Sequence, residues 1–190
     1  MITAMNNHSV EMDIHFELAP PPKLPLILVL ALPRPKVLRR ILRNCAELGI
    51  EKLVLTASYR VEKSYWSTPL LQPSAVRNAL IEGLQQSGDT VLPHISIEKR
   101  FKPFVEDRLP ALVGAGAAYV AHPGSATPCP QPLNKAALVA IGPEGGFIPY
   151  EIDKLSEAGC QPISLGPRIL KVDNAITSIT SRLFDCHWPT

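Results

Sequence analysis

The segment Leu26 to Leu32, LILVLAL, is apolar at every position and shows no alternation with polar residues. A strand with one wet face alternates with a period of two, whereas a strand covered on both faces does not. The run is therefore expected as a central strand between two layers of helices. It is not a membrane span, because Leu24 to Leu32 is about half the ~20 residues that a helix needs to cross a bilayer, and prolines bracket it.

Beyond Leu32 the chain alternates between helix and strand. Val37, Leu38, Ile41, Leu42, Cys45 and Leu48 recur at helical spacing within Lys36 to Leu48, and Gly49 is placed to end that helix. Lys52 to Ala57 reads as a second strand. Pro69 to Gln86 reads as a helix through Val76, Leu80 and Leu84, stopped by Gly88, before a third strand around Val91 to Ile97. Ala117 to Ala121 and Ala136 to Ile141 read as short strands flanking an aperiodic Pro/Gly-rich loop, His122 to Pro132. Pro149 to Ala158 is expected as a short helix and Pro162 to Leu165 as a last strand. Asp173 to Cys186 is expected as a final helix lined by Ile176, Ile179 and Leu183. The fold class implied is α/β, a mostly parallel sheet with helices on both faces. Ligands of such sheets bind outside the carboxyl ends of the strands, where AHPG, GPEGGF and LGPRILK converge.

One core accounts for 190 residues, of which 46% are hydrophobic and 19% charged. Residues 1–23 lack the basic start and apolar middle of a signal peptide, and the run Pro20 to Pro22 reads as a tether. The expected division is a flexible leader at 1–23 and a folded domain at 24–190. A net charge of +2 carries no argument for nucleic acid by itself, so the distribution of charge must. Cys45, Cys129, Cys160 and Cys186 show neither a CxxC pair nor a His at ligand spacing. They read as reduced thiols of a cytoplasmic protein, and no metal is expected.

Two segments carry chemistry. Ala137 to Ile141 runs straight into Gly142-Pro143-Glu144-Gly145-Gly146, a loop almost without side chains that lets a ligand reach main-chain donors and acceptors. It matches neither GxxxxGK[ST] nor GxGxxG, and Glu144 would repel phosphate. The second segment, Ile163 to Ala175, leaves a strand at Gly166-Pro167, adds the cations Arg168 and Lys171, and places Asp173 where it would cap a helix.

Together IGPEGGF and SLGPRILKVDNA resemble the paired signature of the bacterial 16S rRNA (uracil-N(3))-methyltransferase family, within the SPOUT superfamily. CAELGI at Cys45 to Ile50, QQSGDTVLP at Gln85 to Pro93 and AHPG at Ala121 to Gly124 extend the resemblance over roughly Leu26 to Phe184. It implies a SPOUT methyltransferase fold with a C-terminal trefoil knot, a homodimer, and S-adenosylmethionine held mainly by backbone. The implied cofactor positions are Ala121, His122, Ile141, Gly142, Glu144, Gly145, Gly146, Leu165, Gly166, Ile169, Leu170 and Ala175. Arg168 and Lys171 are the implied cations for the uracil, and Glu144 a candidate for orienting a proton or the ligand. The substrate implied is a uridine ring nitrogen in 16S ribosomal RNA or the small ribosomal subunit. A non-catalytic RNA-binding paralogue, or an enzyme for another RNA, also stays open.

The chain departs from the family pattern in three ways. Lys171, Asp173 and Asn174 stand where Arg, Glu and Thr are usual, and Lys lacks the bidentate fork of Arg. Asp89 stands where a basic residue is usual. The PUA-like barrel typical of the family has no counterpart in the two dozen residues before the first strand. RNA contact is then expected on the basic group Arg34, Lys36, Arg40 and Arg43, the last three sharing a helix face. Tyr65 and Trp66 are candidates for stacking on a base or for packing.

Overall fold

The unbroken apolar run becomes β3, Leu24–Ala31, and its side chains divide between two cores. Leu26, Leu28, Leu30 and Leu32 face one helical layer, while Val29 and Ala31 face the other. Both faces are thus dry, which is why the sequence shows no alternation. The computed structural model describes residues 1–15, 17–133 and 135–184.

Six strands form one sheet in the order β5-β4-β3-β7-β6-β8, with every pairing parallel. The other five are β4 (Ile50–Thr56), β5 (His94–Glu98), β6 (Ala117–Ala121), β7 (Ala137–Ile141) and β8 (Gln161–Ile163). One face carries α1 (Pro35–Glu47), α2 (Pro73–Ser87) and α6 (Val172–Leu183). The other carries α5 (Pro149–Glu157) and a composite helix. That helix runs from α3 (Phe101–Pro103) through a π-helical turn at Phe104–Arg108 into α4 (Leu109–Val113).

Glycines mark where helices end and where they touch. Gly49 at φ +68° and Gly88 at φ +71° take the left-handed conformation that closes α1 and α2. In mid-helix, Gly83 lets α2 lie on α1, because a Cβ there would meet the Arg43 carbonyl and come within 2.9 Å of Ala46 Cβ.

The structure adds two elements to those expected from the sequence. Residues in the leader form an antiparallel hairpin, β1 (Ile2–Met5) with β2 (Val10–Met12), exposed on both strands. The composite helix at 101–113 had no counterpart in the sequence reading; its buried Phe104, Val105 and Leu109 do follow helical spacing, but Pro103 and Pro110 interrupt the pattern. The last helix is described to Leu183, so Cys186 lies outside the described residues. Among the described residues no helix is long and apolar enough to cross a membrane.

The long loop after β6 is bonded to the passage from β8 into α6. Ser164 N–H donates to the Thr127 carbonyl at 2.7 Å, Cys129 N–H to Ser164 at 2.8 Å, and Leu133 N–H to Leu183 at 2.7 Å. The loop is therefore tied to the start of that passage and to the C-terminal end of α6.

A candidate ligand cleft at the carboxyl ends of the strands

β7 sits between β3 and β6, so the glycine-rich loop that leaves it is flanked by loops from both neighbours. Gly142 begins that loop under the tightest constraint. A Cβ on it would stand 2.8 Å from Phe147 N and 3.0 Å from Gly146 Cα, both backbone atoms that cannot swing aside. Gly146 turns the loop at φ +71°, and its N–H closes on the Pro143 carbonyl at 2.7 Å. Phe147 then anchors the loop in the second core, its ring tilted against Phe101 at 6.1 Å between centroids.

Polar ties hold the loop from the β3 and β4 side. The Glu144 carboxylate accepts the backbone N–H of Arg34 at 3.1 Å, and the Arg60 guanidinium donates to the Gly145 carbonyl. Behind them lies Glu151, a carboxylate only 3% exposed. It accepts from Tyr59 N–H at 2.8 Å, Ser58 Oγ at 3.1 Å and Ile148 N–H at 3.0 Å. One buried side chain thus fastens the turn after β4 to the start of α5, satisfying three donors.

From the other side come the loops after β6 and β8. His122 N–H donates to the Ile163 carbonyl at 2.9 Å, joining them. Gly166, at φ +123°, turns the second loop, and the Ser164 hydroxyl accepts its N–H at 3.2 Å. The three loops enclose a cleft of about 310 Å³. Its floor and walls include Ala121, His122, Ile141, Gly142, Glu144, Gly145, Gly146, Leu165, Gly166, Ile169, Leu170 and Ala175, every cofactor position expected from the sequence. Arg168 lines it as well.

Lys171 does not. It is the residue before the first turn of α6, exposed, and outside the cleft lining. The expected Asp173 cap is corrected too: no side chain caps α6, and Asp173 in the first helical turn pairs with Arg40 of α1 at 2.7 Å. The short Asp reaches outward to a long arginine more readily than back to an amide. Arg60 also lines the cleft; nothing local in the sequence marks it, because its carbonyl partner is 85 residues away.

The basic group on α1 is partly neutralised. Arg43 and Arg39 both bind Glu82 of α2 and hold its carboxyl below the usual range. Among the described residues, Lys36 and the Arg34 side chain make no ion pair with a carboxylate. Tyr65 and Trp66 pack, half-buried, against the core. Asp89 is also structural: its carboxylate pairs with Lys23 and accepts the N–H groups of Thr90 and Val91. No group of three or more His, Cys, Asp or Glu able to hold a metal occurs among the described residues.

A family model described as an RNA methyltransferase domain matches residues 20–184. The chain belongs to that family. It is 32% identical over 157 residues to ribosomal RNA small subunit methyltransferase E of Treponema pallidum, covering 80% of this chain and 58% of the relative. This chain thus spans little more than half the length of that relative. The fold is shared with the enzyme of the same name from Neisseria gonorrhoeae, solved bound to S-adenosyl methionine, at a TM-score of 0.70 and 19% identity, over 83% of this chain and 63% of that one. A Legionella pneumophila protein solved with its bound cofactor SAM superposes at a TM-score of 0.65 with 26% identity, covering 83% of this chain and 64% of the other. The mostly parallel sheet with helices on both faces expected from the sequence is the architecture observed.

Proposed function

We propose that this chain is the catalytic domain of an S-adenosylmethionine-dependent RNA methyltransferase that modifies a uridine ring nitrogen in 16S ribosomal RNA. The observation that carries the proposal is the cleft built by three strand exits, with glycine-rich backbone on its floor. Its volume, about 310 Å³, falls in the usual range for small-ligand sites. Ile141, Leu165, Leu170 and Ala175 supply apolar walls for an adenine, and loop amides and carbonyls supply its hydrogen bonds. When bound, S-adenosylmethionine would supply a sulfonium methyl for transfer to a ring nitrogen whose proton has passed to solvent, leaving the thioether.

The residues then have to align and stabilise rather than activate. Arg168, on the lining, is suited to the uracil carbonyl oxygen as negative charge develops on the deprotonated ring. Glu144 has one oxygen committed to Arg34 N–H, which fixes its direction and suits it to orient a ligand group. Lys171, on the exposed turn just outside, is suited to the RNA backbone, together with Arg34 and Lys36 on the α1 side. Arg40 and Arg43 enter that track only by exchanging a carboxylate for a phosphate. A homodimer and a knot made by passing α6 through the 122–136 loop are part of the same proposal. The bonds of that loop to Ser164, just after β8, and to Leu183, at the end of α6, support the knot. The three free, buried cysteines among the described residues suit a reducing cytoplasm.

Mass spectrometry of nucleosides from ribosomal RNA tests the substrate. Deleting the gene should remove 3-methyluridine from the small-subunit RNA and restoring it should return the signal. Unchanged methyluridine would overturn the substrate assignment. Binding of S-adenosylmethionine in a calorimeter tests the cofactor independently.

A further inference from the structure

Among the described residues, Arg60 is the one cation that the β4 side brings to the cleft, and nothing in the motif pattern gives it a task. Its backbone is fixed by neighbours on both sides. Ser58 Oγ and Tyr59 N–H are bound by the buried Glu151, and Val61 N–H closes a turn on the Ser58 carbonyl at 3.0 Å. Its guanidinium already rests on the Gly145 carbonyl, using one of five N–H donors and leaving the others for a ligand. Arg168, the other lining arginine, sits by contrast between Pro167 and an Ile169 that is 83% exposed, and no hydrogen bond or ion pair holds its side chain among the described residues.

Charge is distributed unevenly around the glycine-rich loop. On the β3 and β4 side, the loop's own Glu144 carboxylate accepts Arg34 N–H and the Arg60 guanidinium donates to the next residue, Gly145. The opposite side, after β6 and β8, presents backbone with Ala121, His122, Leu165 and Leu170 and the untethered Arg168, and no carboxylate on that side among the described lining residues. Only the β3 and β4 side brings both signs of charge together, so a ligand with an apolar aromatic end and a zwitterionic end is matched best with its zwitterion there. An α-ammonium would find the carboxylate of Glu144, and an α-carboxylate would find the planar fork of an arginine, the group whose geometry matches it.

We propose that Arg60 recognises the α-carboxylate of the methionine portion of S-adenosylmethionine, with Glu151 as the residue that positions it. This assignment rests on the cleft being the cofactor site. It gives the donor's charged end to the β4 side and its adenine to the β6 and β8 side.

Decarboxylated S-adenosylmethionine keeps the adenosine, the sulfonium and the amine and lacks only the carboxylate. Calorimetric titration of wild type and Arg60→Ala with both compounds should show a loss on the order of tenfold or more for S-adenosylmethionine, and a change within about twofold for the decarboxylated compound. Arg60→Lys should fall between wild type and Ala. Equal losses for both ligands would mean that Arg60 only shapes the loop, and unchanged affinity for both would mean that it touches neither; either result overturns the proposal. If the folded wild type bound neither compound, the cofactor reading itself would fall, and this assignment with it.

Discussion

Glu151 offers the sharpest test of how the cleft is held. Its two oxygens satisfy Tyr59 N–H, Ser58 Oγ and Ile148 N–H, and the side chain is almost wholly out of water. Glu151→Ala removes all three acceptor contacts at once. The Ser58 hydroxyl can turn to another partner, but the two amides cannot. With hydrogen bonds to a charged group contributing about 1.5–3 kcal/mol each, the loss expected is about 3–5 kcal/mol. Glu151→Gln keeps the shape and one acceptor oxygen but points an NH2 at a donor, so roughly 1–3 kcal/mol is expected. Urea denaturation followed by circular dichroism measures both, and titration with S-adenosylmethionine should show weaker binding even for the folded Gln variant. A cost below about 0.5 kcal/mol for the Ala variant would refute the three-donor account. A full stability loss with unaltered cofactor affinity in the Gln variant would refute its connection to the cleft.

The two loop glycines should separate steric from conformational cost. Gly142→Ala drives a Cβ to 2.8 Å from Phe147 N, so a loss of about 1–3 kcal/mol and of cofactor binding is expected, read by melting and calorimetry. Gly146→Ala meets open space and carries only the left-handed strain at φ +71°, about 1–2 kcal/mol. Asp89 sets a pH dependence. Burial alone would raise its carboxyl, but Lys23 and the amides of Val91 and Thr90 outweigh it and hold the group below the usual aspartate range. That stability is present above the unfolded aspartate value and is lost as pH falls through the depressed native one; Asp89→Asn should flatten the acid side of a stability-versus-pH curve. Burial pushes the Cys45 and Cys160 thiols up to about 12, so mass spectrometry after alkylation at pH 8 should find both unlabelled until denaturant is added.

The sequence displays whatever a period or a backbone requirement imposes on it. β3 betrays its two dry faces, Gly49 and Gly88 end helices at positive φ, and Gly142 and Gly146 are needed by the backbone itself. The 101–113 helix was obscured because Pro103 and Pro110 sit inside a stripe that also contains a π turn, which breaks simple 3.6-residue spacing. The hairpin at 2–12 is exposed on both strands, so it has no buried face to impose a pattern. Arg60 and Glu151 were illegible for a different reason. Apart from the Ile148 amide three residues before Glu151, their partners lie 85 to 93 residues away, and only the parallel order of the sheet brings them together.

The same geometry explains how the second motif can depart from its family pattern without emptying the cleft. In the stretch LKVDNA, the residues that line the cavity are Leu170, Val172 and Ala175. The three departures, Lys171, Asp173 and Asn174, fall between them and line none of it. Asp173 belongs instead to the helical scaffold: in the first turn of α6 its charge suits the helix dipole, and its 2.7 Å pair with Arg40 binds α6 to α1. The pair takes one arginine out of the basic surface. The three departures therefore fall outside the residues that line the cleft, Asp173 at the contact between α6 and α1 and Lys171 and Asn174 exposed.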